Sequence, residues 1–131
     1  MGGCTGKTKA SNGHSLFKKP HYCIKSCKSG RVMCIDPNPS AQNQVMIWDE
    51  TKKDNQRFVI EQKGPDYILK CKKGKVYITV DGPQNGARVY GTNKLLGERQ
   101  RFRAEEVGID PKTGSKMYVV YTFFGKVLDV Y

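Results

Sequence analysis

The chain lacks any apolar run near the roughly 18 residues that a membrane-crossing helix needs, and no charged-then-apolar leader opens it. Both absences point to the cytoplasm rather than to secretion. Carboxylates are scarce: 12 Asp and Glu stand against 23 Lys and Arg, for a formal net charge of +11. A field of that sign favours anionic partners, among them acidic lipid and sulfated or phosphorylated ligands. Histidine is limited to His14 and His21, and no CxxC pair occurs, which argues against a zinc site. Neither histidine neighbours an evident nucleophile, and Glu105 and Glu106 would point to opposite faces of a strand. No catalytic set emerges, so the expectation is a binding protein that needs no cofactor. A long amphipathic helix is missing as well. The five cysteines, Cys4, Cys23, Cys27, Cys34 and Cys71, are an odd number. Cys23 and Cys27 lie four apart on an expected strand, too far for a disulfide between them. Most of the five read as small apolar core residues in a reducing compartment.

What the chain does have is a repeat. Tyr22-Cys23-Ile24-Lys25, Gly30-Arg31-Val32, Val45-Met46-Ile47-Trp48 and Gln56-Arg57-Phe58 form one block. Tyr67-Ile68-Leu69-Lys70, Gly74-Lys75-Val76, Ala87-Arg88-Val89-Tyr90 and Gln100-Arg101-Phe102 form the next. Gly30 to Gly74 and Gln56 to Gln100 are both 44 residues apart. A third copy starts at Tyr118-Val119-Val120 and Gly125-Lys126-Val127. Repeats of this length are units that cannot bury their own apolar faces and must share a core.

Within each block the apolar residues recur every second position, with Val, Ile, Tyr and Phe prominent, which indicates half-buried antiparallel strands. Turn signals separate them at Lys28-Ser29-Gly30, Asp36-Pro37-Asn38-Pro39, Lys63-Gly64-Pro65-Asp66, Asp81-Gly82-Pro83 and Asp110-Pro111-Lys112-Thr113-Gly114. The expected strands are 22–27, 31–36, 44–49 and 57–62, then 67–72, 75–80, 87–92 and 101–107, then 117–122 and 126–131. Three four-stranded units closed round a pseudo-threefold axis make an all-β fold, the β-trefoil, in which closure removes exposed sheet edges. Residues 1–13 read as a flexible arm and 14–131 as one domain, with repeats at about 22–66, 67–110 and 111–131 plus 14–21. The third repeat is incomplete at the C-terminus. Leu16-Phe17 stands where a unit's last strand would end, so residues 14–18 are expected to close the barrel. One strand has no evident source; a partner chain, as in a homodimer, or an irregular closure would supply it.

The residues resemble the ricin-type (ricin B-like) β-trefoil lectins. Gly125-Lys126-Val127-Leu128-Asp129-Val130 is similar to that family's Gly-x-x-Leu-Asp-Val start. Val45-Met46-Ile47-Trp48 is similar to its middle strand, and Asn55-Gln56-Arg57-Phe58 and Gln100-Arg101-Phe102 to its Gln-x-Trp or Gln-x-Phe close. The resemblance spans about residues 20–131 and implies glycan binding through an aromatic platform, a carboxylate and a carboxamide. Carried onto this chain, the first-repeat site is Trp48 as platform, Asp36 as carboxylate and Asn55 as amide, with Gln56 supporting the loop. Trp48 is the only tryptophan, and its parity opposite Val45 and Ile47 points it outward. Asp36 sits two residues beyond the family's Asp, at whose place Cys34 stands; the bland reading is that Asp36 caps its own turn. A weaker second site would use Asp81, Tyr90 and Gln100, although Ile78 and Arg99 replace the family's Asp and Asn. The third unit keeps Asp129 without a platform.

Charge supports an alternative. Lys70, Lys72, Lys73 and Lys75 crowd one hairpin, and Arg99, Arg101 and Arg103 alternate along one strand. Such a surface suits anionic lipid, sulfated glycans, actin or another acidic partner; without an RNA-binding aromatic signature, nucleic acid is set aside. Gly2-Gly3-Cys4-Thr5-Gly6-Lys7-Thr8 imitates a P-loop but is one residue short and lacks the flanking strand and helix. The same start suggests membrane association through a lipidated Gly2 or Cys4, with Gly6 where Ser or Thr is favoured.

Overall fold

The computed structural model describes the backbone of Gly2–Gly3 and residues 17–128. Its strands are β1 (Gly2–Gly3), β2 (Val32–Ile35), β3 (Val45–Trp48), β4 (Phe58–Lys63), β5 (Asp66–Cys71), β6 (Tyr77–Val80), β7 (Val89–Thr92), β8 (Phe102–Ile109) and β9 (Lys116–Thr122). All named pairings are antiparallel. Short 3-10 turns, 54–56 and 97–100, lead into β4 and β8. The expected strand at 22–27 appears as isolated bridges, Tyr22 to Phe58 and Lys25 to Val32, because it changes partner along its length. Its alternation holds: Tyr22, Ile24 and Ser26 are buried.

The three units superpose in hydrogen bonding. Ser26 N–H donates to Arg31 O, Cys71 N–H to Val76 O and Thr122 N–H to Lys126 O, at 2.8, 2.8 and 2.7 Å. Tyr22, Tyr67 and Tyr118 therefore take equivalent places, as do Ile24, Leu69 and Val120, and Met33, Ile78 and Leu128. Each of these nine except Val120 is buried, and Val120 packs against the core. Phe17 joins the three tyrosines at one end of the barrel. Its ring meets those of Tyr22, Tyr67 and Tyr118 edge-on, at centroid distances of 5.5, 5.1 and 6.0 Å.

The place of the third unit's last strand, expected from residues 14–18, is taken by the first residues of the chain. Tyr22 bridges Phe58 and Tyr67 pairs with Phe102, and in the third unit Tyr118 pairs with Gly3. Gly3 thus holds the place of Phe58 and Phe102. The rest of the expected arm, residues 1 and 4–13, most of the expected closing segment, 14–16, and the end of the third unit, 129–131 with Asp129, lie outside the described residues.

Counting along the sequence misaligns the repeats by one residue in places. Lys75, at φ 51, holds the left-handed position occupied by Gly30 (φ 75) and Gly125 (φ 77). Gly74 is therefore one place ahead of Gly30, and the spacing is 45 residues across the first half of the unit. It returns to 44 after the following loop, where Val89 matches Val45. This one-residue slip decides how the second site reads.

Candidate functional site

β2 and β3 form a hairpin in which Val32, Cys34, Met46 and Trp48 share one face and Met33, Ile35, Val45 and Ile47 the other. The second set faces the core, with Met33 and Ile35 buried and Val45 packed against it. The 54–56 turn packs against β2, and Asn55 Nδ2 donates to Ile35 O at 3.0 Å. Val32 and Cys34 are consequently buried on the outer side as well. Cys71, whose Sγ donates to Asp54 O, lies close enough to Cys34 to help raise its thiol pKa, after the larger effect of burial, to about 11. The position where the resembled family carries Asp is thus a covered, neutral thiol.

Trp48 ends β3 with 54% of its surface exposed. Its outward direction is as the alternation requires. It stands opposite Val32, whereas Asp36 N–H donates to Gln44 O at the other end of the hairpin. Four residues of strand separate those ends, about 13 Å. Asp36 Oδ1 accepts from Asn38 N–H at 3.0 Å, closing the Asp-Pro turn. Asn55 lies toward Asp36, and Gln56 reaches the Trp48 end. Gln56 is buried; its Oε1 accepts from Thr51 and Lys52 N–H, and its Nε2 donates to Asp49 O at 2.9 Å. It holds the loop that follows Trp48. The structure therefore brings Asp36 and Asn55 to one end and Trp48 to the other. Beside Trp48 lies a carboxylate that the motif comparison passed over, Asp49, 3.6 Å from Arg31 Nε. Its adjacency to the tryptophan was the available signal.

The second unit differs at the decisive place. Tyr90 pairs with Thr79, so it matches Met46, and Thr92 matches Trp48. Matching Tyr90 to Trp48 would need the loop before β7 to be three residues shorter than the loop before β3, whereas it is one residue shorter. The Arg88 guanidinium covers the Tyr90 ring at 4.7 Å. Asp81 faces Arg99 at 3.9 Å. Gln100 repeats the role of Gln56: it is buried, donates to Lys94 O and Thr79 Oγ1, and accepts from Leu96 N–H.

Among the anion-binding candidates, the arginines are engaged. Arg101 and Arg103 bracket the nearly buried Asp66 at 3.8 and 2.9 Å. Lys70 lies over the Tyr77 ring at 5.4 Å. Lys72, Lys73 and Lys75 are exposed on the turn between β5 and β6. Cys34 and Cys71 are buried free thiols and Cys23 is free and half-buried, while Cys27 is disulfide-bonded. Among the described residues, no group of His, Cys, Asp and Glu could hold a metal ion.

No family model and no curated protein matches the chain. Solved structures do. A designed three-fold symmetric protein, ThreeFoil, aligns with a TM-score of 0.67 and 21% identity over 83% of this chain and 77% of its own. The fold is a β-trefoil. An exo-β-1,3-galactanase from Clostridium thermocellum aligns at TM-score 0.62 and 16% identity, over 85% of this trefoil but only 24% of the galactanase. The Macrolepiota procera ricin B-like lectin, in complex with lactose, aligns at TM-score 0.53 and 14% identity over 92% and 96% of the two chains. At these identities the likeness concerns the fold.

Proposed function

We propose that this trefoil is a non-catalytic, lectin-like protein that binds glycans along the outer face of its first hairpin. The observation that carries this reading is Trp48, a large apolar ring left open at the hairpin's end and flanked by the polar groups of Asp49 and Arg31. Stacking on one face of a sugar needs such a platform, and the loop held by Gln56 keeps its surroundings rigid. Asp36 and the free Oδ1 of Asn55 lie about 13 Å away, too far to grip the ring stacked on Trp48. They would meet a second residue of a longer glycan, so an oligosaccharide suits this face better than a monosaccharide. Two of the similar structures are named for lactose and for β-1,3-galactan, so β-galactosides are the first ligands to test. Trp48 is the chain's only tryptophan, so its emission reports the site directly. Titration with lactose and longer β-galactosides should change that emission saturably, with the longer ligands binding more tightly. Unchanged emission across neutral glycans would remove the reading.

A second reading rests on Lys72, Lys73 and Lys75, which no described salt bridge uses. An acidic partner held there would dissociate as salt rises, because the exposed charges are screened.

A further inference from the structure

The outer face of the first hairpin has a cationic flank. The 54–56 turn packs against β2, and the end of β5 is hydrogen-bonded to that turn. Lys73 N–H donates to Asp54 O at 3.3 Å and Lys72 N–H to Arg57 O at 2.9 Å. Two segments distant in sequence therefore meet, and they bring Lys52 and Lys53 beside Lys72, Lys73 and Lys75, all of them exposed. The loop that joins Trp48 to this turn is held by Gln56, so the ring and the lysines share one scaffold.

No described salt bridge uses any of these lysines, whereas each carboxylate of the joining loop and turn is engaged elsewhere. Asp49 lies 3.6 Å from Arg31, Glu50 3.4 Å from Lys25 and Asp54 3.3 Å from Arg57. Residues 4–16 contain no Asp or Glu that might balance the cluster. Two of the lysines also stand where the backbone favours glycine: Lys52 has φ 59 and Lys75 φ 51, and Gly30 and Gly125 hold the place of Lys75 in the other units. Lysine costs more than glycine in that conformation, and clustered like charges repel. Turn geometry alone does not account for charge placed there, and a bound anion would offset the repulsion.

We propose that the glycans this face selects are sulfated ones, with a sugar ring on Trp48 and sulfate groups held by Lys53, Lys72 and Lys73. The proposal rests on the lectin-like reading above and adds the class of ligand to it. The ring contact is indifferent to charge, so the lysines would choose among glycans of the same sugar sequence. Ammonium groups on flexible four-carbon stems suit sulfates at variable positions along a chain, whereas arginine suits one fixed planar anion. Continuity with the Trp48 face favours a glycan over a membrane surface.

The test is calorimetric titration of the 131-residue protein with a neutral β-galactan oligosaccharide and with its sulfated form of equal length. The sulfated form should bind about tenfold more tightly at low salt, a few exposed ion pairs being worth that much, and lose the advantage at about 0.5 M salt. The double variant Lys53→Ala/Lys73→Ala, which keeps the backbone bond to Asp54, should remove the advantage while leaving neutral-glycan affinity and Tm unchanged. Lys112→Ala, on an exposed turn elsewhere, should leave it intact. Neutral binding without a sulfate advantage, or an advantage that survives the double variant, would overturn the proposal and spare the lectin reading. Phosphatidylserine vesicles bound as tightly, with the same lysine dependence, would also overturn it, by assigning the surface to a membrane. Binding of neither form, or binding unchanged in Trp48→Ala, would remove the lectin reading and the proposal with it.

Discussion

At the scale of single residues, the two motif glutamines contribute most clearly through structure. Gln56 and Gln100 are buried, and each satisfies backbone groups of the loop before it. Removing such a side chain strands several buried polar groups. Gln56→Ala should lower the unfolding free energy by about 2–3 kcal/mol, read from urea denaturation, and should blunt glycan binding by loosening the loop after Trp48. Asn55→Ala removes one bond to Ile35 O and should cost about 1 kcal/mol. The loop-holding role of Gln56 was legible in the sequence from its place in the Gln-x-Phe close. The separation of Asp36 from Trp48 was not. Motif spacing names residue types in order but leaves open which rung of a hairpin each one occupies, and a shift of two rungs moves a carboxylate by about 7 Å.

At the scale of elements, period-two alternation located most of the strands, because half-buried strands must alternate. Register was harder to read. Lys75 rather than Gly74 holds the left-handed position of Gly30, so the repeat spacing is 45 residues up to β6 and 44 from β7 onward, and a fixed spacing misplaces side chains on one side of that loop. Tyr90 falls opposite Thr79, and Thr92 takes the platform position two residues later. β1 was illegible for another reason: Gly-Gly carries no apolar pattern, and its pairing with Val119 and Tyr118 is purely backbone. The contact between the two hairpins gives a sharp test. A Cβ on Gly91 would sit 2.5 Å from Val76 Cγ2 as well as against Ile35. Gly91→Ala should therefore destabilise by about 1–3 kcal/mol, measured as a fall in urea midpoint. The same change at Gly64, whose Cβ would meet nothing within 4 Å although its φ is +60, should cost only about 1 kcal/mol of backbone strain.

At the scale of the whole molecule, Phe17 ties the chain's beginning to all three units. Phe17→Ala should cost about 3–5 kcal/mol and lower Tm accordingly, since the three tyrosines would face a void. The repeat made pseudo-threefold closure legible; the aromatic cluster appears only when Tyr22, Tyr67 and Tyr118 are brought together. Their burial also sets the pH response. Burial raises the phenol pKa of Tyr67 and Tyr118, and it raises the thiols of Cys71 and of Cys34, the last from 9.0 to about 11. Each group is neutral when protonated and ionises earlier in the unfolded chain. The native state therefore holds more protons at alkaline pH, and stability should fall as pH rises. For Cys34 the loss should begin near pH 9 and continue through about 11; below that window its contribution is fully present and independent of pH. Urea midpoints at pH 7, 9 and 11 check this, and Cys34→Ala should flatten part of the decline.

The central claim, that Trp48 is the platform of a glycan site, is tested most directly by a glycan array of wild type and Trp48→Ala at low salt and at about 0.5 M salt, where the Debye length is a few Å. The expected result is binding to neutral glycans, β-galactosides among them, that persists in high salt and disappears with Trp48→Ala while Tm is unchanged. Signals confined to sulfated glycans, lost in salt and indifferent to Trp48, would contradict it.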